Sequence, residues 1–463
     1  MPDAEALYLK LPIPLQQAAC SMEGWGIQRT RFGKEFACML DDVERRTFWS
    51  PERIRSYRDQ RLRAFVRHCV ESVPFYRGWF HECGMCPADV RSIEDLQHLP
   101  VLTKRIVQDH CPQLFSERIT GKHRIITHTS GTTGGGLRFG TTRAAIREQW
   151  AIWWRYRRWH GLQPGTWCGY LGGRSVVPLS QSRPPFWRYN VPGKQILFSA
   201  YHMSSATLGM YVDELRHRQP PWLHGYPSLL AIVAAYIIER DIELGYGIRW
   251  ITTGAENLLL QQANLIERAF GVRPKQHYGM AEAVANISEC EHGTLHVDED
   301  FAAVEFVSNR EGQGFRVLGT NFTNYSTPLL RYDAEDLVTP TDIACPCGRP
   351  GRTVAAVDGR KEDYVVLKSG AHLGRLDHIF KDMVNIREAQ IVQKCSHEII
   401  VRVVRGDKYL ESDEAALHTE IRKRLGGDTR YRLEYVQRLE RSASGKLRFV
   451  VSEIQAGRLE TAA

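Results

Sequence analysis

No stretch of this 463-residue sequence reaches the roughly 18 apolar residues that a membrane-spanning helix needs. The longest apolar run, Leu229 to Ile238, follows Pro227-Ser228 and predicts a capped, buried helix. The opening residues, MPDAEALYLK, lack the basic-then-apolar pattern of a secretion signal. Eleven cysteines, an odd number in so long a chain, do not make a secreted disulfide framework. The expectation is a cytoplasmic protein with reduced thiols and no membrane span. Internal repeats and low-complexity segments are lacking as well. Lys and Arg number 61 against 53 Asp and Glu, but no basic run or RNA-reading motif accompanies the surplus, which argues against nucleic acid as a partner. So dilute a net charge of +8 suits an anionic small molecule instead. No Ser/His/Asp hydrolase pattern or nucleophile elbow is legible.

What is present reads as an ordinary globular chain, 43% hydrophobic and 25% charged, and too long for one compact core. The first 120 residues are predicted to be mostly helical. Ser50-Pro51-Glu52 is a helix start, followed by an apolar stripe of Ile54, Tyr57, Leu62, Phe65, Val66 and Cys69 that Pro74 ends. From Arg124 onward short β-rich runs alternate with helices, the signature of an α/β core. Thr142 can cap a helix through Trp159 whose Ile146, Trp150, Trp153 and Trp154 share a face. That face reads first as core, with the wall of a substrate cavity as the other possibility. A boundary is expected near Asp358, after the Gly- and Pro-rich CPCGRPGRT. Beyond it, a strand at Glu398–Val404 and a helix at Ser412–Leu425, stopped by Gly426-Gly427, make a small α+β domain. The expected architecture is therefore α/β, with a large domain over 1–358 and a small mobile lid over 359–463.

The most informative stretch is Thr127-His-Thr-Ser-Gly-Thr-Thr-Gly-Gly-Gly-Leu-Arg138. Glycines let successive backbone N–H groups converge on an anion, and the hydroxyls of Ser130, Thr132 and Thr133 add donors. Leu137-Arg138 stands where a Walker motif has Lys-Ser/Thr, so the P-loop NTPase reading fails. Flanking β-rich residues predict a hairpin loop. Two further constellations stand out. Cys290-x5-His296 and Cys345-x-Cys347 offer four ligands, enough for a closed tetrahedral zinc site within 290–347, with His292 competing for the histidine place. Cys83-Gly-Met-Cys86 has no second pair and reads as incidental. His128, His202 and His277 read as structural.

Several motifs follow the loop in a fixed order: Thr253-Gly-Ala-Glu256, Tyr278-Gly-Met-Ala-Glu282, Arg331-Tyr-Asp-Ala-Glu-Asp336-Leu, Gly359-Arg-Lys-Glu-Asp363 and Ser444-Gly-Lys446. Together with Thr-Ser-Gly-Thr-Thr-Gly they resemble the adenylate-forming superfamily. PFYR at Pro74 and LPVLTK at Leu99 narrow the resemblance to its phenylacetate–CoA ligase and CapK-like branch. The resemblance implies that a carboxylate attacks the α-phosphate of ATP, giving an acyl-adenylate and pyrophosphate. The acyl group then passes to an acceptor, coenzyme A or else an amine. In that reading Ser130, Gly131, Thr132, Thr133 and Gly134 cradle the outer phosphates. Tyr278, with Gly279 and Met280, stacks on adenine, and the backbone of Gly254, Ala255 and Glu256 meets its edge. Glu282 binds Mg²⁺, Asp336 accepts the ribose hydroxyls, and Arg360 sits on the ribose or phosphate. Lys446 is the catalytic cation and Glu362 the hinge. The resemblance also implies that the zinc is structural. Ala281, Glu362 and the triple glycine depart from the family pattern. They leave open a rival from another class, a non-catalytic nucleotide- or zinc-binding interaction protein.

Overall fold

The computed structural model describes residues 4–128, 137–204, 206–308, 314–358, 365–366, 372–373, 376–380, 385–395, 398–406, 409–426, 429–439, 449–452 and 454. The expected helical N-terminus is present as Ile13–Arg31, Lys34–Arg46, Pro51–Ser72 and Pro74–Glu82. The Ser50 side chain accepts a hydrogen bond from the Arg53 N–H at 3.3 Å, satisfying one orphan donor of the third helix. Pro74 both stops that helix and opens the next, because a residue before proline is driven out of the helical region. Val73 is accordingly extended, at φ −126° and ψ 112°. Arg58 shares the buried stripe, which is possible because its guanidinium donates to Glu299 at 2.6 Å.

A twelve-stranded sheet forms the centre. Its order is Ala303–Ser308, Phe315–Thr320, Tyr332–Thr341, Thr353–Asp358, Leu295–Val297, Asn286–Glu289, Lys275–Gly279, Trp250–Thr253, Trp222–Gly225, Cys168–Gly172, Gln195–Ser199 and Trp187–Asn190. The five strands from Lys275–Gly279 to Gln195–Ser199 run parallel to one another. Helices Leu208–Arg218, Pro227–Glu239 and Leu260–Phe270 provide crossovers between them. The apolar run noted in the sequence is the middle one, burying Leu229, Leu230, Val233, Ala234 and Ile237. From Asn286–Glu289 outward the pairing is antiparallel.

Helix Arg143–Trp159 is capped by Thr142, which accepts from the Ala145 N–H at 3.1 Å. A buried ionic cluster fixes its outer side. Arg155 donates to Asp298 at 2.7 Å and to Asp300 at 2.8 Å, and Arg46 reaches Asp300 at 2.7 Å. Burial alone would raise the Asp300 carboxyl, but Arg155 and Arg46 hold it well below the usual range. The large sheet's last strand ends at Asp358, and a separate four-stranded sheet begins beyond it. That sheet, Arg430–Tyr435, Glu398–Arg405, Ile386–Cys395 and Val450–Ser452, carries helix Glu411–Leu425 on its own apolar cluster. Arg424 donates to the Tyr201 hydroxyl at 2.9 Å, one contact back to the large sheet's side. Among the described residues no helix is long and apolar enough to cross a membrane.

Candidate active site

Ligands of parallel α/β sheets collect outside the carboxyl ends of the strands, where crossover loops leave a crevice. Three of the sequence motifs fall at that edge. Gly225-Tyr226 follows the strand Trp222–Gly225, Gly254-Ala255-Glu256 follows Trp250–Thr253, and Met280-Ala281-Glu282 follows Lys275–Gly279. Adjacent strands bring these segments side by side despite their separation in sequence. A cavity of about 1060 Å³ opens there, at the upper end of the range for small-molecule sites. It is lined by Gly254, Ala255, Glu256, Tyr278, Gly279, Met280, Ala281, Glu282 and Asp336 among others. Every described residue proposed for nucleotide or Mg²⁺ is therefore on one wall set. Ser130, Gly131, Thr132, Thr133, Gly134, Arg360, Glu362 and Lys446 lie outside the described residues.

Local geometry explains how these segments are held. A Cβ on Gly225 would fall 2.1 Å from the Leu171 carbonyl oxygen, so only glycine lets the two neighbouring strands close at this point. Ala255 sits at φ +67° and Glu335 at φ +58°, left-handed conformations that cost a non-glycine residue free energy and cluster at functional sites. Glu256 accepts from the Ser228 N–H at 3.2 Å, placing a carboxylate at the start of helix Pro227–Glu239, where the helix dipole favours it. The Tyr278 hydroxyl donates to Asp336 Oδ2 at 2.8 Å. That bond joins the parallel half of the sheet to the antiparallel half across the cavity. The main chain at Glu282 is fixed by Asn321 Nδ2, which donates to its carbonyl at 3.0 Å.

The cavity does not stop at the strand ends. Trp222 and His224 point to one face of their strand, and both line the cavity, which runs back beneath helix Arg143–Trp159. Trp150, Trp153 and Trp154 line it too. Of the two readings for these tryptophans, the wall of a cavity is the one the structure adopts, with Trp154 packed in the core as well. Tyr226 and Arg174 line the cavity, whereas Trp167 packs against Lys194 at 5.3 Å. The histidines divide as well. His128 and His277 line the cavity, so a purely structural reading of them is incomplete. His202 is structural, bonded to Ser199 at 2.8 Å and stacked on Phe186. Burial pushes the His277 imidazole down to about 3 and His224 well below its ordinary value, so both are neutral. Sequence reasoning missed the wall contributed by the first helices, including Gly24, Arg31, Phe32 and Leu40, and also missed Arg157 and His224. Only the basic–aromatic texture of Trp153-Trp-Arg-Tyr-Arg-Arg-Trp159 hinted at Arg157.

Cys290, His296, Cys345 and Cys347 present ligand atoms that all lie within 4.8 Å of one another. Cys290 Sγ is 3.6 Å from Cys345 Sγ, and Cys347 Sγ is 3.3 Å from His296 Nε2. Tetrahedral zinc, with bonds of about 2.0–2.3 Å, sets its ligands at similar separations, so the donor set fits the ion. The second histidine, His292, lies on the exposed turn between Cys290 and Thr294 and is not one of the four clustered ligands.

Comparison with known proteins agrees with this geometry. Residues 367–453 match the family described as the CapK C-terminal domain. The chain is 24% identical over 458 residues to protein CapK of Staphylococcus aureus, covering 97% of this chain and 99% of that one. It is 26% identical over 352 residues to a phenylacetate–coenzyme A ligase of Thermus thermophilus, covering 68% and 72%. Among solved structures, a 2-hydroxyisobutyryl-CoA ligase in complex with 2-HIB-AMP and CoA superposes with a TM-score of 0.54 at 21% identity, over 88% of this chain and 91% of that one. The chain is thus similar along nearly its whole length to CapK and over about two thirds of it to phenylacetate–coenzyme A ligases, and it shares its fold with a CoA ligase.

Proposed function

We propose that this chain is an AMP-forming ligase that activates a carboxylic acid with ATP and passes the acyl group to coenzyme A. The observation that carries this is the convergence of Gly254-Ala255-Glu256, Tyr278-Gly279-Met280, Glu282 and Asp336 on one cavity with room for two ligands. The relatives lend the acceptor: those named above include phenylacetate–coenzyme A ligases and a ligase seen with an acyl-adenylate and CoA.

In the first half-reaction a carboxylate oxygen attacks the α-phosphorus, the bond to the bridging oxygen breaks, and pyrophosphate leaves. In the second, a thiol sulfur attacks the acyl carbon, AMP leaves, and the thiol proton goes to solvent. Most of the catalytic effect in such displacements comes from positioning and charge neutralisation. Asp336 accepts the ribose hydroxyls while Tyr278 orients its carboxylate, and the tyrosine ring offers adenine a face. Glu282 supplies a hard oxygen ligand for Mg²⁺, which neutralises phosphate charge when bound. The loop Ser130–Gly134 cradles the outer phosphates, Arg360 lies at the ribose or phosphate, and Lys446 neutralises charge developing at the carboxylate and α-phosphate. Residues 1–358 act as the adenylation domain and 359–463 as a lid turning about Glu362. Cys290, His296, Cys345 and Cys347 hold a structural zinc, closed by four protein ligands. Keeping three of those ligands as thiolates fits the reducing cytoplasm.

A pyrophosphate-release screen over carboxylic acids, with and without coenzyme A and hydroxylamine, tests the proposal. Acid-dependent release with an acyl-CoA detected by mass is the expected result. Release with hydroxamate but no thioester would point to an amine acceptor. Absence of release with every acid would leave only a nucleotide- or zinc-binding protein.

A further inference from the structure

The inner reach of the cavity is cationic at Arg157, and among the described residues no acid lies beside that side chain. Arg157 is only 3% exposed, yet it lines the cavity. Its guanidinium carbon lies 4.9 Å from the ring centre of Trp154, 5.2 Å from that of Trp222 and 5.8 Å from that of Trp150. Its Nε is buried without a hydrogen-bond partner, and among the described residues no ion pair reaches the group. The polar groups around it are Tyr156, Cys168, Tyr170, His224 and His277, none of them an anion at neutral pH. Burial lowers the pKa of Arg157 to about 10, which leaves it charged there.

Its neighbours on the same helix share the unpartnered Nε but not the lack of an acid. Arg155 is held by Asp298 and Asp300, and Arg158 by Glu44 at 2.6 Å. Two more arginines border the cavity without a carboxylate in hydrogen-bonding range among the described residues. Arg31 lies over Trp150 at 4.7 Å and Arg174 over Tyr170 at 5.9 Å. The acidic lining residues are Glu256, Glu282, Glu335 and Asp336 in the loops and strands of the proposed nucleotide end, and Asp41, which lies 4.0 Å from Arg158. A lone buried cation is costly unless an anion joins it, and a planar guanidinium matches a carboxylate or phosphoryl group with two parallel hydrogen bonds.

We propose that the acid taken by this site carries a second anionic group, and that Arg157 receives that group at the tryptophan-walled inner end of the cavity. This rests on the adenylation reading above, because it treats the cavity as the acid's seat.

The indoles around Arg157 supply a direct readout. Tryptophan fluorescence of the full chain would be titrated with matched pairs: butyrate and succinate, valerate and glutarate, benzoate and isophthalate, acetate and phosphonoacetate. At least one doubly charged member should bind tenfold or more tighter than its partner, and which kind does so tells carboxylate from phosphoryl. Arg157→Met, which keeps an unbranched stem among the indoles and removes the charge, should abolish the preference, and Arg157→Lys should keep part of it. A wild-type chain without any such preference overturns the proposal, as does a preference that survives in folded Arg157→Met. Should the methionine variant fail to fold, the wild-type series and Arg157→Lys decide. Pyrophosphate release measured in parallel with ATP and Mg²⁺ separates the two readings. Preference without release counts against catalysis and leaves the Arg157 assignment standing. Release with singly charged acids alone does the reverse.

Discussion

Asp336 and Lys446 are assigned opposite duties, and single substitutions separate them. Asp336, proposed to hold the nucleotide's sugar, is already bonded to Tyr278. Replacing it with asparagine removes a charge-assisted bond of about 1.5–3 kcal/mol, so ATP affinity should fall roughly 10- to 100-fold by calorimetry. Lys446→Ala should leave that affinity intact and slow pyrophosphate release by about 10²–10³, the usual cost of losing one donor aimed at developing charge. Loss of ATP binding in Lys446→Ala, or its retention in Asp336→Asn, would reverse the two roles. That Tyr278 and Asp336 belong at one cavity was legible in the sequence, because their motifs are local strings whose order alone carries information. Trp150 and Trp153 were not assignable in the same way. Helical spacing places them on one face, but only the opposing strand Trp222–Gly225 and helix Ile13–Arg31 decide whether that face meets protein or space. Arg157 escaped for the same reason, since an arginine between aromatics reads as solvated until its surroundings are known.

At the level of elements, helix Arg143–Trp159 is trapped between charge and neutrality. Arg155 ties its outer side to Asp300, while the single ring of Tyr156 packs against both the uncharged His277 and His160, each at 5.3 Å. Burial lowers His160 to about 4 and His277 to about 3, against about 6.5 in an unfolded chain. Below pH 6.5 the unfolded chain therefore binds protons that the folded one refuses. Stability is complete above that pH and is lost as the pH falls towards 4 and below. Each histidine should contribute a slope of up to about 1.4 kcal/mol per pH unit across that window. Urea titrations at pH 7, 6 and 5 should show it, and His160→Gln should flatten it; a flat profile would contradict the burial assigned here. The hairpin at Cys290 and the turn at Cys345–Cys347 depend on a different force. Protein purified without a histidine tag should carry about one zinc per chain, and Cys347→Ser should lower that content sharply. Metal-free protein of unchanged stability would remove the site. The capped helices at Ser50 and Thr142 were readable in advance, because caps are set by neighbours within four residues, and so were the paired strands Ile125–His128 and Arg138–Thr141 that flank the glycine-rich stretch. The meeting of Cys290 and His296 with Cys345 and Cys347, the first cysteines being 55 residues apart, was suggested by spacing and needed the sheet to close it.

For the molecule as a whole, the prediction concerns the proposed turning of the lid. The smaller sheet has its own core and touches the larger part through Tyr201. Glu362→Pro, which restricts the proposed pivot, should permit acyl-adenylate formation and block thioester release; equal loss of both would argue against a turning lid. Half of the chain's net positive charge was visible beyond Gly359, but the sequence did not show where the cavity's own charge lies.

That interior charge bears on how an unknown metabolite could be found. Arg157 sits among indoles with no carboxylate beside it in the described structure, so the vacant protein carries an electrostatic debt that the right small molecule cancels. Such a compound should stabilise the fold by about 2.7 kcal/mol at a hundredfold excess over its dissociation constant, and so raise the melting temperature before any turnover is looked for. A thermal-shift survey of cell extracts, fractionated by anion exchange, would then let the protein choose its own ligand.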